Sequence, residues 1–259
     1  MRGWELHPDV LAVLALAAGA YATGVWRVRR WRARRSVAYA AGLVALGVAL
    51  LSPLDAAAQT ALRPHMVQHM LMAMVAAPLL VAGAPLTLAL RAARPPARGR
   101  LTALLNQPAA RALVHPIATW SLFAVVLLGS HFTFVYDAAV GSDAVHAAEH
   151  AAYLWAALLF WLPVLGAGPL PRRLGWLSIT AYHLATMPVV SIIGVVLLYA
   201  PEPLYASYPL LADQQAAGMV MWLGGTMMLG FAAVVIGWRE LLREERHQVA
   251  RERRLEAAG

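Results

Sequence analysis

Two residue types are missing from this 259-residue chain, cysteine and lysine, and charge of either sign is scarce. Without cysteine there are no disulfides, no thiolate metal ligands and no CxxC redox chemistry. Without lysine no Schiff base to retinal can form, which excludes a photoreceptor of that kind. Charged residues make up 13% of the chain and hydrophobic residues 61%, too apolar for a soluble globule of this size.

The apolar residues come in blocks. A membrane span needs about 20 mainly apolar residues to cross a hydrocarbon core of ~30 Å. Seven stretches qualify, near Val10 to Trp26, Ser36 to Leu54, His65 to Leu90, Leu113 to Val135, Val145 to Leu165, Leu174 to Tyr199 and Ala216 to Trp238. Only helices or closed barrels satisfy backbone groups in lipid, and strands would alternate in polarity, so these runs are helices. The expected fold class is all-α, a polytopic membrane protein with a seven-transmembrane-helix bundle over residues 1–238. Residues 239–259 form a charged helical tail, with Arg and Glu interleaved. MRGWELHPDV lacks the basic region of a signal peptide, so the first span is expected to stay. There is no internal repeat, and the connections are short, the longest lying around ARPPARGRLTALLNQP and PEPLYASYPLLAD.

A net charge of +8 raises the question of nucleic acid, but its distribution answers it. All 21 cationic side chains are arginine. They cluster in RVRRWRARR after the first span, between Arg91 and Arg111 after the third, at Arg172 and Arg173 after the fifth, and from Arg239 onward. Those are alternate connections, which the positive-inside rule assigns to the cytoplasm. The amino terminus is then outside and the carboxyl terminus cytoplasmic. The opposite face carries Glu5, Asp9, Asp55, Asp137, Asp143, Glu149, Glu202 and Asp213 against only Arg2 and Arg63. The partner of the arginines is a lipid bilayer, not nucleic acid.

With this topology each histidine acquires a depth. His65 and His69 open the third span and His146 and His150 open the fifth, both entering from outside. Residues four apart share a helix face, so each pair offers two nitrogens to one ion, and the pairs together complete a site if their helices meet. Histidine is rare in a bilayer and marks a functional site by default. The bland alternative is an interfacial imidazole bonded to water, headgroups or a neighbouring helix. Met66, Met70, Met72 and Met74 surround the first pair, and Met219 and Met221 lie near the outer end of the seventh span. Thioether and imidazole both suit monovalent copper, although methionine is also ordinary core filling. Asp55, in SPLD, and Glu149 are the nearest acids; they either orient ligating imidazoles or remain solvated loop charges. His131 sits near the outer end of the fourth span. His183, in mid-membrane, reads as a helix-packing residue, and His7, His115 and His247 as interfacial. Pro78, Pro85, Pro163 and Pro188 lie inside spans, where each removes a helix hydrogen bond and invites a kink.

The run SPLD, then HMVQHMLMAMVAAPLLVAGAPL, then YDAAV followed by VHAAEH and LLFW, and finally DQQAAGMVMW resembles the CtaG-type cytochrome c oxidase assembly factors, from about Leu51 to Glu245. These are bacterial membrane proteins with seven helices. The resemblance implies a place in the bacterial inner membrane and a role in maturing haem-copper oxidases by supplying copper to the copper B centre. It also implies His65, His69, His146 and His150 as motif histidines, with Asp213, Gln214, Gly218, Met221 and Trp222 forming a last-helix motif. His131 departs from the family's Trp-His-x-Pro pattern, since Ser130 and Thr133 flank it here.

The leading expectation is a non-enzymatic copper chaperone whose partners are the oxidase catalytic subunit and a periplasmic copper donor protein. The expected metal ligands are His65, His69, His146 and His150, with Asp55, Glu149, His131, Met70, Met219 and Met221 as further ligands or supporting groups. Two alternatives stay open, a haem b-binding membrane oxidoreductase with facing axial histidines and a copper transporter. A transporter calls for polar or methionine residues continuing to the inner face, and apart from His183 the spans do not supply them.

Overall fold

The structure, a computed structural model, describes residues 7–131, 142–166, 168 and 174–256. Arg2, Glu5, Asp137, the YDAAV segment, Arg172 and Arg173 lie outside the described residues, as does the side chain of Asp143. The described residues contain helices and no strand.

Helix α1 (Pro8–Arg27) is followed by α2 (Ala33–Leu51) and the short α3 (Pro53–Ala58). The second span, expected to reach Leu54, ends earlier: Pro53 disfavours helical backbone at Ser52, which leaves α2 and starts α3 with its Oγ accepting from Leu54 N. The third span is α4 (Leu62–Met70), a π-helical turn over Leu71–Ala76, then α5 (Ala77–Ala82). Pro78 has no N–H to offer the carbonyl one turn back, and the wider turn before it accommodates that loss. The chain then breaks at Ala84, held at φ 53° and ψ 51°, because Pro85 drives its predecessor out of the right-handed helix. Helix α6 (Pro85–Ala92) departs in a new direction to pack on α1.

The inner connection, expected as a loop, is helical: α7 (Pro95–Asn106) and α8 (Pro108–Leu113), both exposed. A proline opens each one, where its missing N–H costs nothing. The fourth span is represented by α9 (Pro116–Ser130), shorter than the expected Leu113 to Val135, with residues 132–135 outside the described set. Then come α10 (Asp143–Leu165), α11 (Trp176–Tyr199), α12 (Leu211–Met219), a second π-helical turn over Val220–Gly224, and α13 (Gly225–Glu256). Pro163 and Pro188 sit within α10 and α11 without interrupting them. Helix α13 carries the charged tail outward without a break.

Six helical runs among the described residues are long and apolar enough to cross a membrane, which marks a multi-pass membrane protein. Lipid tails are as apolar as leucine, so such helices associate through close packing and interhelical hydrogen bonds. Both occur. A Cβ on Gly218 would lie 2.6 Å from the Gly194 carbonyl, so α11 and α12 touch backbone to backbone. Trp161 Nε1 donates to the Ala73 carbonyl at 2.8 Å, Trp120 Nε1 to Thr186 Oγ1 at 3.1 Å, and Tyr182 pairs with Thr119 at 3.0 Å. Each bond of this kind is worth about 0.6 kcal/mol. The main core gathers Met66, Phe123, Tyr153, Phe160, Ile179, Met221 and Leu229 from α4 and α9 to α13. Helix α1 is peripheral, buried only at Tyr21 and Gly24.

Candidate metal centre

Helices α4 and α10 meet through their imidazoles at the end of the bundle where α3 and the connection before α12 also lie. The start of α4 is fixed by a residue from a helix distant in sequence. Leu62 N–H donates to Asp213 Oδ2 at 2.5 Å and Arg63 N–H to the same oxygen at 3.3 Å, while Pro64 has no N–H to satisfy. A side chain from α12 thus caps the helix in place of its own N-cap residue, Ala61. His65 and His69 come next, on one face.

That face meets the corresponding face of α10. The His65 and His146 rings are stacked, with centroids 5.4 Å apart and planes inclined by 18°. His65 lies 4.3 Å from His69 and 6.1 Å from His150; His69 lies 5.3 Å from His150, and His146 lies 4.2 Å from His150. His65 and His69 are fully enclosed and His150 is buried. Two ligand sets share His65: nitrogens of His65, His146 and His150 lie within 4.8 Å of one another, and so do nitrogens of His65 and His69 with a Glu149 oxygen.

Several buried atoms in this cluster have no hydrogen-bond partner: both ring nitrogens of His69, Nε2 of His150 and both carboxylate oxygens of Glu149. An unpaired buried polar group costs about 1–3 kcal/mol, more when charged, and five such atoms in one place call for an ion or a donor. Imidazole nitrogens with one carboxylate form a donor set that suits copper or zinc, so the residues fit a metal.

The other expected residues fall in different places. His131 lies 6.3 Å from His69, edge to face, with Nδ1 donating to the Leu127 carbonyl at 2.7 Å. Asp55 is buried and engages Gln68 Nε2 at 2.6 Å and His7 Nε2 at 3.2 Å, not the four imidazoles. Gln68 also donates to the Ala49 carbonyl at 2.9 Å, so Asp55 acts on the rotation of α4. His7, expected to be incidental, is the second partner of this carboxylate. Met70 is buried toward Gly225, Met221 is fully buried in the core, and Met219 is 48% exposed on the outside of the bundle. His183 is enclosed beside Trp161, with Nδ1 donating to the Ile179 carbonyl at 2.7 Å. In the last-helix motif, Gln214 accepts Leu204 N–H at 2.7 Å and donates to the Leu197 carbonyl at 3.2 Å, holding the preceding connection. Gly218 and Trp222 pack against Gly194.

Three tyrosines complete the surroundings. Tyr153 is buried with its ring 4.5 Å from that of His69. Its position is legible in the spacing, since it lies four residues after Glu149 and so on the same face of α10. Tyr208 sits 6.3 Å from His65 and donates to the Ala58 carbonyl at 2.6 Å, and Tyr205 donates to the His131 carbonyl at 3.0 Å. Nothing in the pattern of their loop marks either one.

The chain is 28% identical over 235 residues to an uncharacterized protein of Mycobacterium leprae (strain TN), covering 82% of this chain and 36% of that protein. It is 30% identical over 207 residues to uncharacterized proteins of Mycobacterium bovis and Mycobacterium tuberculosis, covering 71% of this chain and 31% of each. The chain therefore spans about a third of the length of these relatives. No solved structure matches it. The family model of the cytochrome c oxidase caa3 assembly factors matches residues 19–242, and the chain belongs to that family.

Proposed function

We propose that this oxidase assembly factor is a non-enzymatic membrane metallochaperone, which holds monovalent copper near the extracytoplasmic face and passes it to the copper B centre of a haem-copper oxidase. The observation that carries the reading is the convergence of His65, His69, His146 and His150 with Glu149, several of their buried donor atoms lacking any other partner. Copper is the cargo. Nitrogen donors with thioethers nearby suit the monovalent ion, and the absence of cysteine leaves imidazole as the principal ligand.

In this reading seven helices span the inner membrane of a bacterium, α9 being the described part of the fourth. The amino terminus is outside and the tail of α13 is cytoplasmic, as the arginine distribution favours. The two overlapping ligand sets support stepwise transfer: His65 keeps hold while His146 and His150 yield to His69 and Glu149, so the ion is never released to water. The partners are the oxidase catalytic subunit, which receives the ion within the membrane, and a periplasmic donor that loads the site at His146.

Metal analysis of protein purified under reducing conditions tests the proposal. The expected content is about one copper ion per chain, lost in the His69→Ala/His150→Ala double variant, with helicity by circular dichroism as the folding control. Copper retained by a folded double variant overturns it.

A further inference from the structure

At the opposite end of the bundle the break in the third span leaves a second feature that the copper reading does not use. After Ala84 the chain turns, and α6 leans against α1, where Gly24 admits the Leu88 side chain; a Cβ there would lie 2.9 Å from Leu88 Cγ. Beside this contact runs an open groove of about 680 Å³, walled by Ala17, Ala20, Ala89 and Ala93 and bordered by Arg27 and Arg94. Ala17 and Arg27 are ten residues apart on α1, so the groove has an apolar length of roughly 15 Å before it reaches cations.

The cationic end is organised. Trp31 carries two guanidinium groups over its ring, Arg35 at 4.8 Å and Arg91 at 5.8 Å from the centroid. Its Nε1–H donates to Tyr21 Oη at 3.0 Å, and Tyr21 donates in turn to the Gly83 carbonyl at 2.9 Å, at the break itself. Tyr39 stacks on Tyr21 at 3.9 Å. Among the described residues no carboxylate pairs with Arg27, Arg35, Arg91 or Arg94. Two unneutralised cations, Arg27 and Arg94, therefore stand at the mouth of an apolar groove, with Arg35 and Arg91 held on Trp31, which bonds the groove residue Tyr21. The other flank is the peripheral helix α1, whose Val13 and Leu16 are exposed. Scattered topology arginines need no groove. A phosphate with a hydrocarbon tail fits both halves.

We propose that the groove between α1 and α6 binds an anionic phospholipid, with an acyl chain along the alanine wall and the phosphate between Arg27 and Arg94, Arg35 and Arg91 adding positive potential from the Trp31 cluster. Basic pockets between helices on the cytoplasmic side of a membrane hold such headgroups by charge-assisted hydrogen bonds. The alanines leave room for the chain, and Trp31 holds Arg35 and Arg91 close by through cation–π contact. This site is independent of the copper reading and stands or falls without it.

Native mass spectrometry of the full chain in detergent, titrated with phosphatidylglycerol or with phosphatidylcholine of the same acyl chains, tests it. Phosphatidylglycerol is expected to bind at least roughly tenfold more tightly, about 1.4 kcal/mol. Arg27→Gln/Arg94→Gln and the groove-filling Ala20→Trp/Ala89→Trp should each lower its binding to the phosphatidylcholine level. Arg251→Gln/Arg253→Gln, in the tail, should leave it unchanged. If Ala20→Trp/Ala89→Trp loses helicity, Ala20→Leu/Ala89→Leu replaces it with the same readout. Retention of phosphatidylglycerol by a folded groove-filled variant, equal binding of the two lipids, or displacement by inorganic phosphate overturns the proposal.

Discussion

Asp213 on α12 accepts the backbone N–H of Leu62, the first residue of α4, at 2.5 Å, across 151 positions of sequence. This bond fixes where the helix carrying His65 begins, and with it the angular setting of both imidazoles on that helix. Removing an N-cap acceptor costs about 1 kcal/mol, and here the loss propagates to ligand geometry. Asp213→Ala is therefore expected to lower the melting temperature in detergent and to weaken copper binding together. Asp213→Asn, which keeps an acceptor, should do little of either; unchanged copper affinity in a destabilised Asp213→Ala would separate the cap from the site.

Glu149 offers a test in which two signs oppose. Its carboxylate oxygens are buried, lack a partner and stand beside His65 and His69. In the metal-free protein that carboxylate is a burden, because burying an unpaired charge costs more than burying a neutral amide. Glu149→Gln is expected to raise the melting temperature of metal-free protein and to lower copper affinity by roughly tenfold or more, about 1.4 kcal/mol. Both effects are read from one pair of melts, with and without copper. A variant that is stabilised yet binds copper as before would remove Glu149 from the ligand set.

Much of this arrangement is legible in the residues, for identifiable reasons. The i, i+4 spacing of His65/His69 and His146/His150 reports directly on a helix face, so the composition of each half-site needs no structure. That α10 runs beside the third span, so that its imidazoles reach those of α4, is tertiary information, carried by packing such as Trp161 against the Ala73 carbonyl of the π-helical turn, and no local pattern encodes it. Asp55 illustrates the limit. Proximity in depth suggests it as a partner for an imidazole of the cluster, whereas its bond runs to Gln68, whose amide reaches toward α2 rather than to the four imidazoles. The prolines and arginines of the inner connection read as loop, although prolines at first turns start α7 and α8. The break at Ala84 is announced by Pro85, but its direction, toward α1, depends on the fit of Leu88 against Gly24.

Haem offers the sharpest alternative chemistry for clustered histidines, and a spectrum separates the two. The imidazoles of α4 and α10 crowd together, His65 and His146 stacked at 5.4 Å and His69 and His150 at 5.3 Å, a spacing that favours a shared small ion over a porphyrin. Purified protein is expected to show no Soret band, and copper-loaded protein kept reduced is expected to be colourless. His183, enclosed beside Trp161 and bonded to its own helix, should be dispensable for copper, so His183→Phe should leave the metal content unchanged. A Soret band in wild type that disappears with His183→Phe would redirect the functional reading to that residue.

Gln68 and Asp55 are coupled through a buried bond of 2.6 Å, and Gln68 also holds the Ala49 carbonyl of α2. Because Gln68 lies between His65 and His69 in sequence yet faces α2, these two bonds resist rotation of α4 about its axis. A rotation by one residue's worth, about 100°, would carry both imidazoles out of the cluster, so even small freedom degrades the ligand set. Gln68→Leu removes both bonds while keeping the volume, and Asp55→Asn weakens one of them. The double-mutant cycle in thermal stability should give a coupling of about 0.6 kcal/mol, the usual size for a polar pair between membrane helices. Copper affinity should fall in Gln68→Leu by a few-fold, roughly 0.6–1 kcal/mol on the affinity scale, although neither residue touches the ion. Additive stability effects together with undiminished copper binding would show that α4 is held in register by its packing alone.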